Sequence, residues 1–270
     1  MELQLKHQVV LVTGGGQGVG RGLCLDFAAE GARVVVNDLF AERCQAVAEE
    51  INDAGGEALA VAADITDTDA VNAMIERIEA HFGSVDILVN NAGVIAERRE
   101  KGGIPPLFQD TSPDDWRKII DLNVYGMLNC CHRVIPGMRA KKSGKIISIM
   151  SEAGRLGEAR LAVYGGAKAA ILGFSKSIAR ELARDCINVN VVALGAVSHE
   201  GIKAGALSPG ATPANDERLA KMLKAYPISR GLQRLATPQD VSGMVMLLAS
   251  PRGAFITGQS VGVSGGFAML

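Results

Sequence analysis

The sequence has few aromatic residues and almost no net charge, and both properties argue against certain binding partners. Aromatic residues make up 4% of the 270 residues, and the formal net charge is −1. Nucleic acid and anionic membranes bind to basic surfaces, and unpaired bases stack on aromatic side chains. The composition therefore predicts neither nucleic acid nor a membrane as a partner.

Long apolar segments are also lacking. Apolar runs such as VVLV, VVV and ILV are far shorter than the ~20 residues that a membrane-spanning helix needs. The first residues, MELQLKHQ, do not contain the apolar core of a signal peptide. We therefore expect a cytoplasmic protein.

Cysteine and histidine are too few and too scattered to indicate a metal site or a disulfide framework. There are five cysteines and four histidines, and no two cysteines are spaced as Cys-x-x-Cys. Zinc sites and disulfide scaffolds need clustered or evenly paired cysteines. We expect free, buried thiols and no metal.

What the sequence does contain is a regular alternation of short apolar strands and longer amphipathic helices. Strands are expected at 8–13, 33–38, 57–64, 86–91, 145–150, 187–193 and 259–263. Helices are expected at 18–30, 41–53, 68–82, 113–139, about 160–184 and 238–249. This order predicts one α/β domain over residues 1–270, a doubly wound, mostly parallel seven-stranded sheet of the Rossmann type with helices on both faces.

Two segments interrupt this alternation. Residues 94–111 form a charged loop after the fourth strand, and residues 195–234 are rich in glycine, alanine and proline with one helical pattern, ERLAKMLKAY. Ligands bind to loops at the carboxyl ends of parallel strands. We predict that 195–234 is a substrate-binding lid.

A glycine-rich stretch, TGGGQGVG (13–20), follows the first strand and opens the first helix. Such glycines let the backbone approach a pyrophosphate, which then lies on the helix N-terminus. The second strand ends in Asp38, whose carboxylate can bind both adenosine ribose hydroxyls and would repel a 2′-phosphate. Gly16 and Gln17 are not basic, so the sequence predicts NAD and not NADP. A turn residue at the end of the strand is the alternative role for Asp38.

Two further strand ends carry candidate nucleotide contacts. Asp64 ends the third strand, where the adenine edge would lie, and NNAG (90–93) ends the fourth. The small residues of NNAG would let a cofactor pass close to the backbone. Asn90 would serve equally well as a bridge between strands, so both of its roles stay open.

A titratable pair lies at the start of a helix that otherwise has the spacing of a packing helix. In VYGGAKAAILGFSKSIAREL (163–182), apolar residues recur at intervals of three and four. Tyr164 and Lys168 lie one turn apart on the same face. A helix that only packs gains little from a phenol and an ammonium there.

TGGGQGVG, NNAG, a serine thirteen residues before the tyrosine, and YGGAK together resemble the short-chain dehydrogenase/reductase family over essentially the whole chain. The resemblance implies a Rossmann-fold oxidoreductase that transfers hydride between NAD and a secondary alcohol or ketone. It implies that Tyr164 is the general acid/base, since an ammonium and an oxidised nicotinamide favour the phenolate. It implies that Lys168 supplies this ammonium and also donates a hydrogen bond to the nicotinamide ribose.

The resemblance also implies roles for two other polar residues. Ser151 would orient the substrate oxygen, and Ser148 is the alternative residue for this role. Asn123 would hold a water between the lysine and solvent. A helix kink or cap is the alternative role for Asn123. The predicted cofactor contacts are Gly14, Gln17, Gly18, Val19, Gly20, Asp38, Asp64, Ile65, Asn91, Ala92, Gly93, Tyr164, Lys168 and Val197.

After the sixth strand, VVALGAVSHE departs from the family pattern. Leu194 replaces a usual proline, and His199 stands where a threonine usually helps to hold the nicotinamide amide. Ser198 or the Val197 backbone would take over that contact. His199 and Glu152 are the candidate substrate contacts, and a solvated loop histidine is the alternative.

The sequence also bears on the substrate and on the oligomeric state. The 199–234 segment has six basic and three acidic residues, which suits an anionic tail such as a carboxylate or coenzyme A, or else a solvated lid. The resemblance implies a homotetramer in which the 113–139 and 160–184 helices pair. Two alternatives stay open: a non-catalytic NAD-binding structural or regulatory subunit, and an NADPH-dependent ketone or 3-oxoacyl reductase.

Overall fold

The described residues, 2–93 and 105–270 of a computed structural model, are organised around one seven-stranded sheet. Its strands are β1 Val9–Val12, β2 Arg33–Asp38, β3 Glu57–Ala62, β4 Ile87–Asn90, β5 Gly144–Ser151, β6 Ile187–Leu194 and β7 Ser260–Val263. They lie in the order β3-β2-β1-β4-β5-β6-β7, and all neighbouring pairs are parallel. The predicted fold class is therefore confirmed.

Helices connect the strands and cover both faces of the sheet. They are α1 Gly18–Ala29, α2 Ala41–Asp53, α3 Thr68–Phe82, α4 Pro113–Ile120, α5 Gly126–Lys141, α6 Ala153–Leu156, α7 Ala162–Leu182, α8 Glu217–Ala225, α9 Pro227–Leu232 and α10 Pro238–Ala249. No helix in the described part of the chain is long and apolar enough to cross a bilayer.

Alternate residues of the strands pack into two apolar clusters, one on each face of the sheet. Leu11 and Leu88 pack with residues of α3, α5 and α7, whereas Val10 and Val89 pack with residues of α1, α2 and α10. Burying one such side chain fully stabilises the fold by ~1.5–3 kcal/mol. The two clusters hold the sheet rigidly between its helices.

The helix expected over 113–139 is in fact interrupted. A π-helical turn, Asp121–Tyr125, joins α4 to α5. Within it the Asn123 side chain donates from Nδ2 to the carbonyl oxygen of Ile119 at 2.9 Å. This side-chain bond competes with the regular backbone ladder, which accounts for the wider turn.

The two segments predicted as long loops differ in what the structure describes. Residues 94–104 of the first lie outside the described residues, and a short 3-10 turn at Phe108–Asp110 follows them. The second segment contains the expected helix as α8, and also α9, which the sequence pattern did not indicate.

The cysteines are free, and four of the five are buried. Burial raises the pKa of the Cys24 and Cys130 thiols far above the ordinary value, so they stay protonated at neutral pH. Cys186 is exposed.

The strand order reverses at β1, since β2 and β3 lie on one side of it and β4 on the other. Connections from β1 and β4 therefore leave in opposite directions and open a crevice at the carboxyl ends of these strands.

Candidate active site

A cavity of about 570 Å³ occupies this crevice. Most of the residues predicted from the sequence line it: Gly14, Gln17, Val19, Gly20, Asp38, Asp64, Ile65, Asn91, Ala92, Gly93, Ser151, Tyr164, Lys168, Val197 and His199. Gly18, Asn123 and Glu152 are not among the lining residues. The topology thus brings residues from both halves of the chain to one cleft.

The glycine-rich loop forms the end of the cleft where α1 begins. A Cβ on Gly20 would overlap the carbonyl oxygen of Gly14, and Gly14 has a φ of +63° that disfavours any side chain. The backbone can therefore come close to a ligand here. The first turn of a helix also presents N–H groups without intrahelical partners, which favours an anion.

Asp38 lies at the adjoining corner of the cleft, at the end of β2. Its Oδ2 accepts the Gly16 N–H at 3.2 Å, and its Oδ1 accepts the Phe40 N–H at 3.3 Å. Arg43 of α2 lies with its guanidinium carbon 4.1 Å from the centre of the Phe40 ring. Both Phe40 and Arg43 line the cleft, although no motif in the sequence indicated them.

Asn90 ends β4 and Asn91 follows it, and their side chains contact different parts of the structure. The Asn90 Nδ2 lies 3.3 Å from Ser148 Oγ, so it bridges β4 to β5, which favours the bridging role over a cofactor contact. The Asn91 Nδ2 donates to the carbonyl oxygens of Thr13 and Gly14 at 3.0 and 3.1 Å. Asn91 therefore braces the glycine-rich loop from the neighbouring strand. Ser148 is buried in the bridge and is not a lining residue, whereas Ser151 is.

Ser151, Tyr164 and Lys168 approach the cleft from β5 and α7. The Ser151 Oγ accepts the N–H of Ala153 at 3.2 Å, which leaves its own proton for another acceptor. The buried Lys168 Nζ donates to the carbonyl oxygen of Ile149 at 3.1 Å and lies 5.8 Å from the centre of the Tyr164 ring. Burial lowers the pKa of Lys168 to about 8.

Asn123 lies behind this group. Its Oδ1 is buried without a hydrogen-bond partner among the described residues. A Cβ placed on Gly93 would lie 2.8 Å from this oxygen and 2.5 Å from Lys168 Nζ. The two polar atoms therefore border the same small space beside Gly93, where a bridging water would satisfy the orphaned oxygen.

Replacing Gly93 with alanine should displace the Lys168 ammonium, because the new methyl carbon would lie 2.5 Å from Nζ, closer than the two atoms can approach. We expect the Gly93→Ala variant to fold and to lose at least about tenfold in turnover, since small misplacements of positioned groups reduce rates strongly. Gly166→Ala is the matched control, because a Cβ there meets nothing within 4 Å. Equal rates for the two variants and the native protein would contradict the placement of Lys168.

The buried Lys168 should also make stability depend on pH. Its pKa is about 8 in the folded chain, against an ordinary value of 10.5. Between these values the unfolded chain holds a proton that the folded chain has lost, so the free energy of unfolding should rise with pH. The rise should approach ~3 kcal/mol and be absent from Lys168→Met.

Urea unfolding without nucleotide, at the two ends of this window, measures the effect. Lys176→Met, which removes an exposed lysine from the same helix, should keep the native pH dependence. If Lys168→Met shows the same slope as Lys176→Met, Lys168 is not the group responsible.

Glu152 is not positioned as the predicted substrate contact. The residue is 1% exposed and its carboxylate lies 3.4 Å from the Arg155 guanidinium, which in turn donates to the Ser260 carbonyl oxygen of β7. A carboxylate so deep in the structure needs a cation beside it. Glu152 therefore links the end of β5 to β7 through Arg155, and its burial argues against the predicted substrate contact.

The chain after β6 also differs from the expected nicotinamide anchor. Leu194 continues β6, and its carbonyl oxygen accepts the Glu152 N–H at 2.9 Å. Val197 pairs with Ala236, and the Ser198 N–H donates to the same residue at 2.8 Å. Val197 lines the cleft, and its pairing with Ala236 holds this segment in place although Leu194 stands at the position of the proline.

The cleft is also lined by three residues that no sequence pattern indicated, Lys118, Asp121 and Leu122. They belong to α4 and to the π-helical turn, whose geometry brings them to the wall. No cluster of histidine, cysteine or acidic side chains in the described segments could hold a metal ion.

The chain is similar to known proteins over most of its length. A family model described as short chain dehydrogenase matches residues 8–205. The chain is 36% identical to a 3-oxoacyl-[acyl-carrier-protein] reductase, FabG, of Staphylococcus aureus over 260 residues, 96% of this chain and 97% of that protein. It is 33% identical to FabG of Escherichia coli over 268 residues, 99% of this chain and 100% of that protein. A solved 7α-hydroxysteroid dehydrogenase, complexed with NADH and 7-oxo glycochenodeoxycholic acid, has a TM-score of 0.85 at 34% identity and covers 98% of this chain and 96% of its own.

Proposed function

This chain belongs to the short-chain dehydrogenase family, and from that premise we propose that it is an NAD-dependent enzyme interconverting a secondary alcohol and a ketone. Family membership makes it an oxidoreductase that binds a nicotinamide dinucleotide and acts on a small molecule. The observation that carries the finer proposal is Asp38, a carboxylate at the end of β2 that lines the cleft. A 2′-phosphate there would meet a like charge, whereas a ribose diol would meet a hydrogen-bond acceptor.

The residues of the cleft fit such a dinucleotide. The loop around Gly14 and Gly20 has no room for side chains, and it opens a helix whose first N–H groups suit a pyrophosphate. Asp38 would bind the adenosine ribose, and Lys168 the nicotinamide ribose. The nicotinamide ring supplies the chemistry that protein side chains lack, because it accepts or donates a hydride.

The remaining chemistry is proton transfer and orientation by the chain itself. The Ser151 hydroxyl donates a hydrogen bond to the substrate oxygen. Its proton is available for this bond because the Ala153 N–H uses only a lone pair of Ser151 Oγ. Tyr164 takes the alcohol proton during oxidation and returns it during reduction. The Lys168 ammonium favours the phenolate of Tyr164 electrostatically. The space between Lys168 and Asn123 Oδ1 would hold a water through which the proton reaches solvent.

A reductase acting on 3-oxoacyl thioesters with NADPH is the second candidate. The names of the FabG relatives favour a 3-oxoacyl substrate. Arg43 lines the same corner of the cleft as Asp38, where its positive charge could face a 2′-phosphate. Asp38 argues against NADPH. A non-catalytic subunit is disfavoured, because Ser151, Tyr164 and Lys168 together line the cleft. A homotetramer and an anionic substrate tail are further proposals that rest on the resemblance and on the basic lid.

A panel assay tests the proposal. The protein is given NADH or NADPH at equal concentration with ring ketones, a 7-oxo bile acid and 3-oxoacyl thioesters, and loss of the reduced-nicotinamide absorbance is followed. We expect reduction of at least one ketone, faster with NADH. Faster reduction with NADPH would favour the second candidate, and tight NADH binding without turnover on any ketone would count against both.

A further inference from the structure

A short helix separates Ser151 from the helix that carries Tyr164 and Lys168. This helix, α6, has only four residues, Ala153–Leu156, and a helix so short is stable only through contacts with neighbouring segments. Its first N–H group, that of Ala153, donates to Ser151 Oγ at 3.2 Å. The direction of the Ser151 hydroxyl therefore depends on where α6 lies.

On one side, α6 packs closely against α7 at two glycines. A Cβ on Gly154 would lie 2.8 Å from the backbone nitrogen of Ala169. A Cβ on Gly165 would lie 2.9 Å from the carbonyl oxygen of Ala153. Because the two backbones are already in contact, α6 has no room to move toward α7.

On the other side, a buried ion pair links α6 to β7. The Glu152 carboxylate lies 3.4 Å from Arg155 Nη1, and both side chains are buried. Arg155 Nη2 donates to the carbonyl oxygen of Ser260 and, at 2.6 Å, to its hydroxyl oxygen. A Cβ on Gly262 would lie 3.0 Å from Glu152 Oε1 and 3.3 Å from Arg155 Nη1, so the pair lies directly on the strand. Charged hydrogen bonds of this kind hold their partners in a defined geometry.

Neither stability nor direct contact with a ligand explains this ion pair. A buried pair often contributes little net stability, because the lost hydration of the two charges offsets their attraction. Neither Glu152 nor Arg155 is among the residues that line the cleft. The pair does fix the position of the helix that orients the Ser151 hydroxyl.

We propose that Arg155 is a positioning residue that acts through α6 to hold the Ser151 hydroxyl toward the substrate oxygen, with Glu152 as its counter-ion. This inference rests on the proposed function, because it needs Ser151 to act in ketone reduction. Glu152 thereby affects the reaction through the neighbouring serine and not by touching the substrate.

Three changes at the ion pair test this proposal. Arg155→Met removes the cation and leaves a buried carboxylate. Glu152→Gln combined with Arg155→Met leaves no unpaired charge and should fold, because neutral replacements of both partners are tolerated. Arg155→Lys keeps a cation with fewer donors. Arg180→Met, which removes an exposed arginine from α7, is the matched control and should keep the native rate.

Each change is made in the native protein and in Ser151→Ala. Values of kcat and KM are measured with NADH and the ketone that the panel assay identifies, and thermal unfolding shows which variants fold. In the native protein we expect Arg155→Met and the double change to reduce kcat about tenfold without altering KM for NADH, with partial recovery in Arg155→Lys. In Ser151→Ala the same changes should reduce kcat less than about twofold, because the hydroxyl through which Arg155 acts is already missing.

An equal loss of kcat in both backgrounds would overturn the proposal, since it indicates a general structural effect. Near-native kcat after Arg155→Met and after the double change would also overturn it. So would failure of both to fold, which would show that the pair serves stability. In these three cases the native protein still reduces a ketone, so only this inference fails. If the native protein reduces no ketone, the proposed function fails and this inference fails with it.

Discussion

Replacing Tyr164 with phenylalanine should reduce turnover by ~10²–10⁴-fold while NADH binding stays close to native. The change removes one oxygen and keeps the ring that packs near Lys168, 5.8 Å from its Nζ. Without the hydroxyl, the variant lacks the group to which we assign transfer of the proton of the substrate oxygen. Steady-state rates and NADH titration of the same preparation measure the two quantities separately.

Tyr125→Phe is the matched control for this prediction. Tyr125 is one of the three tyrosines, lies in the π-helical turn and is 56% exposed, so its loss should leave the rate unchanged. A Tyr164→Phe variant with near-native turnover would mean that another group transfers the proton. A variant that loses NADH binding as well would indicate a structural role for the hydroxyl.

Replacing Asp38 with serine should shift cofactor preference toward NADP(H) by roughly 100-fold in the ratio of kcat/KM values. The substitution removes the charge that repels a 2′-phosphate, and leaves the Arg43 guanidinium beside the same corner of the cleft. Serine would still accept or donate a hydrogen bond, so NAD(H) should lose affinity only in part.

Two further variants separate the effect of the Asp38 charge on cofactor preference from that of the Arg43 charge. Asp38→Ser combined with Arg43→Ala should gain less NADP(H) activity than Asp38→Ser alone, because the cation would be missing. Asp53→Ser, at the exposed end of α2, should leave the preference unchanged. An Asp38→Ser variant that still prefers NAD(H) as strongly as the native enzyme would show that the carboxylate does not set the preference.

The sequence was sufficient to predict features that depend on interactions between residues close together in the chain. The strands are short apolar runs between helices, and the predicted bounds of β2 and α2 agree with the structure. The glycine-rich loop and Asp38 could be found because each follows directly from the end of a strand. Tyr164 and Lys168 could be found because a four-residue spacing on a helix puts two side chains on one face.

The features that the sequence did not reveal depend on contacts between distant segments. Glu152 follows Ser151 and looked like part of the pocket, but Arg155 and β7 hold it in the interior. His199 looked like a loop residue, and its contact with Gly18 joins residues far apart in the chain. The π-helical turn at Asn123 depends on one side-chain hydrogen bond that competes with the backbone ladder. Neither hydrophobic periodicity nor a short sequence motif indicates such contacts.

The most direct test of the account is whether hydride passes between the nicotinamide and a carbonyl carbon in this cleft. The ketone that the panel assay identifies is reduced with NADH carrying deuterium at C4, on one face of the ring and then on the other. The alcohol product is then analysed by mass spectrometry. The account predicts deuterium at the carbinol carbon from one labelled form and none from the other. Product without deuterium from either form would contradict it.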